Sequence, residues 1–326
     1  MGVAIGAKNE MRREILYYVL IICVFTCSHC ALHETQTDPS SPIVLHSASR
    51  PTQESESVAS AWDGSSDLEP GLNGNDILFF ADFEAADYKD GWPVYWGQPV
   101  GAGTVSSPDK YVFAGNKSAY LEARKGSHES LGAGEYFPAQ PIDDVVYMRV
   151  YLRLEDGFSM GTSQSLKLFT IRGGVDPEHA YGGAGAKPTG ADKLEVTLAI
   201  DNWRALELYY YHADQQSGYG DLVYCGGFFS TPKLSPGRWY CLELMVKANT
   251  PGHKDGQIRA WMDGRLIGDV DRLRFRDTDA LKIRRFGVSA YFGGALASDT
   301  SSKDQRVYID NLVVSRKPIA CLGVGQ

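Results

Sequence analysis

The chain has 326 residues, of which 43% are hydrophobic, 11% aromatic and 22% charged, a composition typical of one large or two small globular domains. Its 35 glycines and 15 prolines are too few for a collagen-like or low-complexity chain. The formal net charge of −8 argues against a nucleic-acid partner, because nucleic-acid-binding proteins carry a net basic footprint.

Residues 1–30 are predicted to be an export leader. Two arginines precede an apolar run, Ile15 to Thr26, whose length suits the core of a signal peptide better than a transmembrane helix of roughly 20 residues. The run ends in a Val-Phe-Thr-Cys sequence that resembles an imperfect lipobox, which would make Cys27 the lipidated first residue. The alternatives are cleavage near Cys30 or an uncleaved anchor. We therefore expect a periplasmic, cell-surface or extracellular protein.

The rest of the chain divides into three segments. Residues 31–73 are acidic and rich in Ser and Pro, which predicts a disordered tether, and therefore a domain held off a membrane surface. Residues 74–318 form the predicted folded domain, and residues 319–326 a C-terminal tail. We expect this domain to be monomeric.

The predicted domain alternates short β-like runs with turns rich in Gly, Pro, Asn and Asp. This pattern, without a long stretch of helical period, predicts an all-β sandwich of two antiparallel sheets. The candidate strands are Ile77–Phe83, Ser118–Ala123, Val145–Leu154, Ser165–Arg172, Leu194–Ile200, Leu206–His212, Leu222–Phe229, Arg238–Ala248, Gln257–Met262, Ile283–Phe292 and Arg306–Val314.

The strand Val145–Leu154 has one apolar face, which is predicted to be core. Its other face alternates Tyr147, Arg149, Tyr151 and Arg153, because neighbouring side chains on a strand point to opposite sides. These residues either cover a wet sheet surface or line a substrate groove. In a groove, tyrosines would stack on sugar rings and arginines would pair with anionic groups.

The strand Ser165–Arg172 contains a lysine among apolar residues. Strict alternation puts Lys167 on the same face as Phe169 and Ile171. The lysine therefore either extends to solvent from a sheet edge or is partly buried. A partly desolvated lysine has a lowered pKa and can take part in acid–base chemistry.

Three of the six cysteines lie in the domain and its tail: Cys225, Cys241 and Cys321. In an oxidising compartment this odd count allows one disulfide and one free thiol. Cys225 and Cys241 bracket a turn-rich stretch and are one candidate pair. Zinc-ligand spacings are missing from the domain sequence, which argues against a zinc site.

Several short motifs recur in order across roughly residues 76–316, at Tyr147–Phe158, Gly237–Glu243, Asn249–Gly252, Ala260–Gly264, Phe286–Gly294 and Tyr308–Asn311. Their order and spacing resemble polysaccharide lyase family 14. This resemblance implies a concanavalin A-like β-jelly roll that cleaves an acidic polysaccharide, such as alginate or glucuronan, by β-elimination without a required cofactor.

Elimination at a uronic acid explains the residue types at the implied site. The substrate carboxylate must be neutralised by Arg or Lys, a base must remove the C5 proton, and an acid must protonate the departing O4. The resemblance implies these catalytic roles for Lys167 and for the Tyr-x-Tyr pair Tyr209 and Tyr211. His212 follows the pair and is either a substrate-binding residue or structural.

The sequence departs from the family at one position, since the strand Leu194–Ile200 lacks the arginine of a Ser-x-Arg motif. The candidates to supply the missing charge are Arg149, Arg153 and Arg204. Five arginines between residues 272 and 285 either extend a polyanion track or are solvated around a turn. The carboxylates Asp82, Glu84 and Asp310 form a candidate structural Ca²⁺ site.

These patterns favour an exported polysaccharide lyase that acts on a uronic-acid-containing polysaccharide. The alternatives are a non-catalytic, laminin-G-like carbohydrate-binding surface module and a structural surface domain without a sugar ligand. Only the lyase requires Lys167, Tyr209 and Tyr211 to converge on one sugar.

Overall fold

The structure is a computed structural model. It describes residues 69, 71–84, 103–106, 110–128, 130–131, 134–136, 141–176, 185–227, 229–294 and 296–322. The predicted leader, its lipidation site Cys27 and nearly all of the predicted tether lie outside the described residues.

Within these residues the chain forms β-strands and a single 3-10 turn at Gly74–Asp76, with no α-helix. Each strand predicted from the sequence has a counterpart in the structure. The strands are β1 (Ile77–Ala81), β2 (Gly103–Ser106), β3 (Lys117–Ala123), β4 (Ser130–Leu131), β5 (Gly134–Tyr136), β6 (Val145–Leu154), β7 (Ser165–Gly174), β8 (Lys193–Asp201), β9 (Leu206–Tyr211), β10 (Asp221–Tyr224), β11 (Trp239–Lys247), β12 (Gly256–Met262), β13 (Arg265–Leu273), β14 (Lys282–Gly293) and β15 (Gln305–Ser315).

The strands form two antiparallel sheets, which confirms the predicted sandwich. The first sheet has nine strands in the order β13-β12-β11-β6-β15-β3-β2, with β1 added to β15 and β4 to β3. The second has six strands in the order β10-β9-β8-β7-β14-β5. The apolar core lies between the sheets and contains the predicted inner face of β6, from Val146 to Leu154.

Two differences between the predicted and the observed strands have local reasons, and the short strands β2, β4 and β5 were also not predicted. The predicted strand Leu222–Phe229 is shorter, because the chain turns after β10 through Gly226 and Gly227, both with positive φ. The strand β13 was missed because it is an edge strand whose mostly exposed, polar residues hide the apolar alternation.

The domain extends beyond both of its predicted boundaries, 74 and 318. Glu69, from the predicted tether, is buried in an ion pair with Arg149 on the outer face of the nine-stranded sheet. In the predicted tail, Ile319 is buried and Cys321 forms a disulfide with Cys241. The segments that flank the sandwich therefore cover the outer face of this sheet.

The candidate pairing of Cys225 with Cys241 is wrong. Cys241 lies opposite Tyr151 on the outer face of the nine-stranded sheet, whereas Cys225 is a buried free thiol within the core. The two sulfurs therefore lie on different sides of that sheet.

We expect loss of the disulfide to destabilise the fold strongly. Its cysteines are 80 residues apart. A crosslink that closes a loop of this length reduces the entropy of the unfolded chain, which raises the free energy of that state by about 4 kcal/mol at room temperature. Cys321→Ser should lower the free energy of unfolding by about 2–4 kcal/mol in urea denaturation. Cys225→Ala is the control and should cost less, and an equal loss in both variants would contradict the assignment.

Three buried carboxyl groups have raised pKa values. Burial is the main cause for Glu207, Glu243 and Asp310, and it raises the pKa of each to about 7. Backbone N–H groups counteract this effect at two of them: Ile319 donates to Glu243 at 2.9 Å, and Phe113 donates to Asp310 at 3.0 Å.

These carboxyl groups predict a stability that falls as the pH rises from about 4.5 to about 7. In that window the folded chain keeps protons that the unfolded chain has lost. Each group therefore lowers the free energy of unfolding by up to about 3 kcal/mol as the pH rises. Urea denaturation at about pH 5.5 and about pH 8 measures the effect. Glu243→Gln should reduce it, because glutamine keeps the acceptor for Ile319 and does not titrate. Equal stability at both pH values in the wild type would contradict this prediction.

Candidate active site

The candidate site lies on the six-stranded sheet, on the face that points away from the core. We call this surface the polar face. Val196, Leu198 and Ile200 of β8 point into the core, so the alternate residues of β8 point to the polar face. Three cross-strand rows of β7, β8 and β9 line it: Lys167–Ala199–Glu207, Thr170–Thr197–Tyr209 and Arg172–Glu195–Tyr211.

A β-bulge places Lys167 on the polar face. The register between β7 and β8 shifts between Lys167 and Phe169, and such an extra residue changes which face the following side chains occupy. Phe169 and Ile171 therefore lie in the core together with Leu168. The expectation that Lys167 shares a face with Phe169 and Ile171 is wrong, because it assumed unbroken alternation.

The polar face brings Lys167, Tyr209 and Tyr211 together. The two tyrosine hydroxyls are 2.8 Å apart, and the backbone N–H of Gly220 donates to the Tyr209 hydroxyl at 3.0 Å. The Lys167 ammonium lies 4.9 Å from the centre of the Tyr209 ring and 5.5 Å from that of Tyr291. A lysine and two hydrogen-bonded phenols thus form one cluster.

Burial and neighbouring groups shift the pKa values of Lys167 and Tyr211 in opposite directions. Burial lowers the pKa of Lys167, although the nearby carboxylates of Glu195 and Glu207 partly oppose that shift. Burial and the hydrogen bond with Tyr209 raise the pKa of Tyr211, so Tyr211 keeps its proton at neutral pH. The site therefore combines a cation that releases its proton more readily with a phenol that holds its own.

An ion pair behind the tyrosines was missed by the sequence analysis. Arg172 Nε donates to Glu195 at 3.2 Å, and Thr197, itself 2.9 Å from Thr170, donates to the same carboxylate at 3.2 Å. Burial alone would raise the pKa of Glu195, but Arg172 and Lys167 outweigh it and lower the pKa. Polar residues at alternate positions of an otherwise apolar strand, as in Glu-Val-Thr-Leu, were the available signal.

The residues expected to bind substrate on β6 lie on the other sheet. Arg149 is fully buried against Glu69, and Arg153 donates to Gly237 and to Asp156. These side chains point outward from the nine-stranded sheet, opposite to the core, so the sandwich separates them from Lys167. This position corrects the expected groove of Tyr147, Arg149, Tyr151 and Arg153, and we leave these four residues out of the proposed site.

His212 also lies apart from the tyrosine pair. It follows the end of β9, two residues after Tyr210, so alternation places it on the same side as Tyr210, which points into the core. Its Nε2 atom is 2.8 Å from Asp221. Arg204 sits in the β8–β9 turn and donates to the carbonyl of Leu234. Neither side chain contributes to the polar face, which corrects the expected binding role of His212.

Arg172 takes the place expected of the other arginines. The charge missing from β8 comes from none of Arg149, Arg153 and Arg204, and Arg172 lies on the polar face of the adjacent strand β7. In the predicted basic cluster, Arg276 and Arg285 are almost fully buried, and Arg276 pairs with Asp144 at 2.8 Å. Burial excludes the solvated arrangement for these two arginines.

The candidate calcium ligands are used as backbone acceptors. Asp310 accepts the N–H groups of Phe113 and Ala114, and Glu84 accepts that of Lys117. Asp82 accepts the N–H of Glu84 in the same way. In the part of the chain that the structure describes, no group of three or more His, Cys, Asp or Glu side chains could hold a metal ion, and the calcium site stays a prediction. The same residues include no helix long and apolar enough to cross a membrane.

The chain resembles known lyases in sequence and in fold. Residues 166–312 match the family Polysaccharide lyase 14. The marine PL-14 alginate lyase from Aplysia kurodai is 22% identical, with a TM-score of 0.54 over 68% of this chain and 90% of that one. An alginate lyase in complex with an alginate tetrasaccharide is 19% identical, with a TM-score of 0.53 over 63% and 82%.

An endo-β-1,4-glucuronan lyase from the fungus Trichoderma reesei has 16% identity and a TM-score of 0.50 over 74% of this chain and 96% of that one. At these identities the structural likeness establishes the fold, a β-jelly roll. No curated protein matches the chain in sequence.

The two-sheet sandwich and the match over residues 166–312 both agree with a polysaccharide lyase domain. The resemblance to polysaccharide lyase family 14 that the sequence motifs suggested is thereby confirmed.

Proposed function

We propose that the protein cleaves a uronic-acid-containing polysaccharide by β-elimination on the polar face of the six-stranded sheet. The observation that carries this proposal is the convergence of Lys167, Arg172, Tyr209 and Tyr211 on three adjacent cross-strand rows. Supporting it are the family match and the substrates named for the structural relatives, which are alginate and glucuronan.

Lys167 and Arg172 would neutralise the carboxylate of the bound uronic acid. The C5 proton next to a carboxylate is poorly acidic, because removing it places a second negative charge on the same group. Cations already fixed in the site stabilise that charge without reorganising at the moment of reaction. The buried, ionised Glu195 holds Arg172 in place through their 3.2 Å contact.

The two tyrosines would carry the proton transfers. Tyr209, as the oxyanion, takes the C5 proton, the C4–O4 bond breaks, a C4=C5 double bond forms, and O4 leaves with the proton of Tyr211. Tyr209 has then gained one proton and Tyr211 has lost one. Their 2.8 Å hydrogen bond is a direct path for returning that proton, which restores both groups.

Export to an oxidising compartment, with a membrane tether through the N-terminus, is the second part of the proposal. Its support is the basic and apolar leader sequence, together with the Cys241–Cys321 disulfide, because disulfides persist mainly outside the cytosol. We further propose that the protein acts as a monomer, because Lys167, Arg172, Tyr209 and Tyr211 lie on adjacent strands of one chain.

We expect the full chain to produce unsaturated uronate from alginate, glucuronan or a glycosaminoglycan. The C4=C5 double bond conjugated with the carboxylate absorbs in the ultraviolet, so absorbance follows the reaction directly. Tyr209→Phe and Tyr211→Phe should each lower kcat by about 10²-fold or more, because each removes an acid–base group. Tyr147→Phe, the same change on the opposite sheet, should leave kcat unchanged.

Two outcomes would contradict the proposed function. Absence of an absorbance rise, combined with retarded migration in a polysaccharide gel, would favour the non-catalytic binding module. A rise that survives both tyrosine changes would place the acid–base chemistry elsewhere.

Matched variants of one ion pair on each sheet test which sheet carries the active site. Removing Arg172 alone would leave Glu195 buried without its cation, which is strongly destabilising, so both partners are neutralised together. Arg172→Gln/Glu195→Gln should lower kcat/KM by about 10²-fold, the typical effect of losing one fixed charge-stabilising group. Arg149→Gln/Glu69→Gln, the same change on the nine-stranded sheet, should leave kcat/KM unchanged, and the reverse result would return the site to β6.

A further inference from the structure

The loop between β9 and β10 supplies a hydrogen-bond donor to the tyrosine pair. This loop runs from His212 to Gly220, and its last N–H group donates to the Tyr209 hydroxyl at 3.0 Å. A donor aimed at an oxygen favours negative charge on that oxygen. The loop therefore contacts the group that would accept the C5 proton.

Gln215 closes this loop from the inside. Its side chain is buried, and its Oε1 accepts the backbone N–H of His212 at 2.9 Å. Its Nε2 donates to the carbonyls of Ser217 and Tyr219 at 2.9 and 3.0 Å. One amide thus joins the start of the loop to the residue immediately before Gly220.

Two further contacts fix the ends of the loop. At the base of the loop, the Nε2 atom of His212 lies 2.8 Å from the carboxylate of Asp221. At Gly220 an added Cβ would lie 2.7 Å from the carbonyl oxygen of Tyr210 and 3.1 Å from the ring of Tyr211. Only glycine brings its backbone this close to the tyrosine strand.

We propose that Gln215 is a positioning residue for the elimination, because its three hydrogen bonds hold the Gly220 N–H on the Tyr209 oxygen. Held there, the N–H stabilises the Tyr209 oxyanion before proton abstraction and keeps it directed toward Tyr211 and the substrate. His212 helps to hold the same loop in place and does not bind substrate. This inference rests on the proposed function of Tyr209.

Gln215→Glu tests the inference in the full chain with almost no change in shape. The carboxylate still accepts from His212, but it cannot donate to Ser217 or Tyr219, so the Gly220 N–H loses its fixed position. We expect kcat to fall about tenfold with KM little changed, because the variant disturbs the Tyr209 oxygen and not substrate binding. Gln216→Glu is the matched control, since the neighbouring Gln216 is exposed and its side chain donates to the carbonyl of Asp214.

Amide hydrogen exchange of Gly220 reports on the contact without any turnover. Exchange should quicken about tenfold in Gln215→Glu and in Tyr209→Phe, because each removes the protected hydrogen bond, and it should not change in Gln216→Glu. Unchanged kcat in Gln215→Glu, or equal exchange in wild type and Tyr209→Phe, would overturn the inference. A wild type without lyase activity but with a protected Gly220 amide would instead overturn the proposed function, and with it the catalytic purpose of the contact.

Discussion

Each strand of the six-stranded sheet gives one of its faces to the apolar core, and this constraint decides which side chains line the polar face. Because side chains alternate, burial of Val196 and Leu198 turns Glu195 and Thr197 to the polar face. The strand β7 obeys the same constraint only with a bulge. Without that extra residue, Lys167 would follow Phe169 into the core, where an ammonium without a partner is very costly.

Local sequence patterns predicted the strands and their apolar faces, because the alternation of apolar and polar residues depends only on neighbouring positions. They could not predict which strands become neighbours, because pairing between distant segments depends on the whole chain. The strand β6 shows the consequence. Its Tyr and Arg alternation resembles a binding face, yet in the assembled sandwich Arg149 is fully buried against Glu69. The same absence of long-range information hid the Cys241–Cys321 pairing.

The motifs that carry the family resemblance mostly maintain the fold. The side chain of Asn249 accepts the N–H groups of Phe275 and Arg276 and so joins two loops. Asp263 and Gly264 both have positive φ in the turn between β12 and β13, which such hairpin turns require. These constraints are independent of substrate. A jelly roll can therefore be recognised from its turns independently of the charged groups of its site.

The strand β8 lacks the arginine that the family resemblance implies, and under the proposed function Arg172 supplies this charge from the adjacent strand. Ala199 occupies the third position of the Thr-x-Ala sequence there, and Arg172 on the adjacent strand brings its cation to Glu195 on the same face. A cation on either strand lies within the range over which charges interact strongly in a poorly solvated site. The proposed elimination requires positive charge fixed near the tyrosine pair. The buried carboxylate of Glu195, which remains ionised, holds Arg172 there through their 3.2 Å contact before substrate arrives.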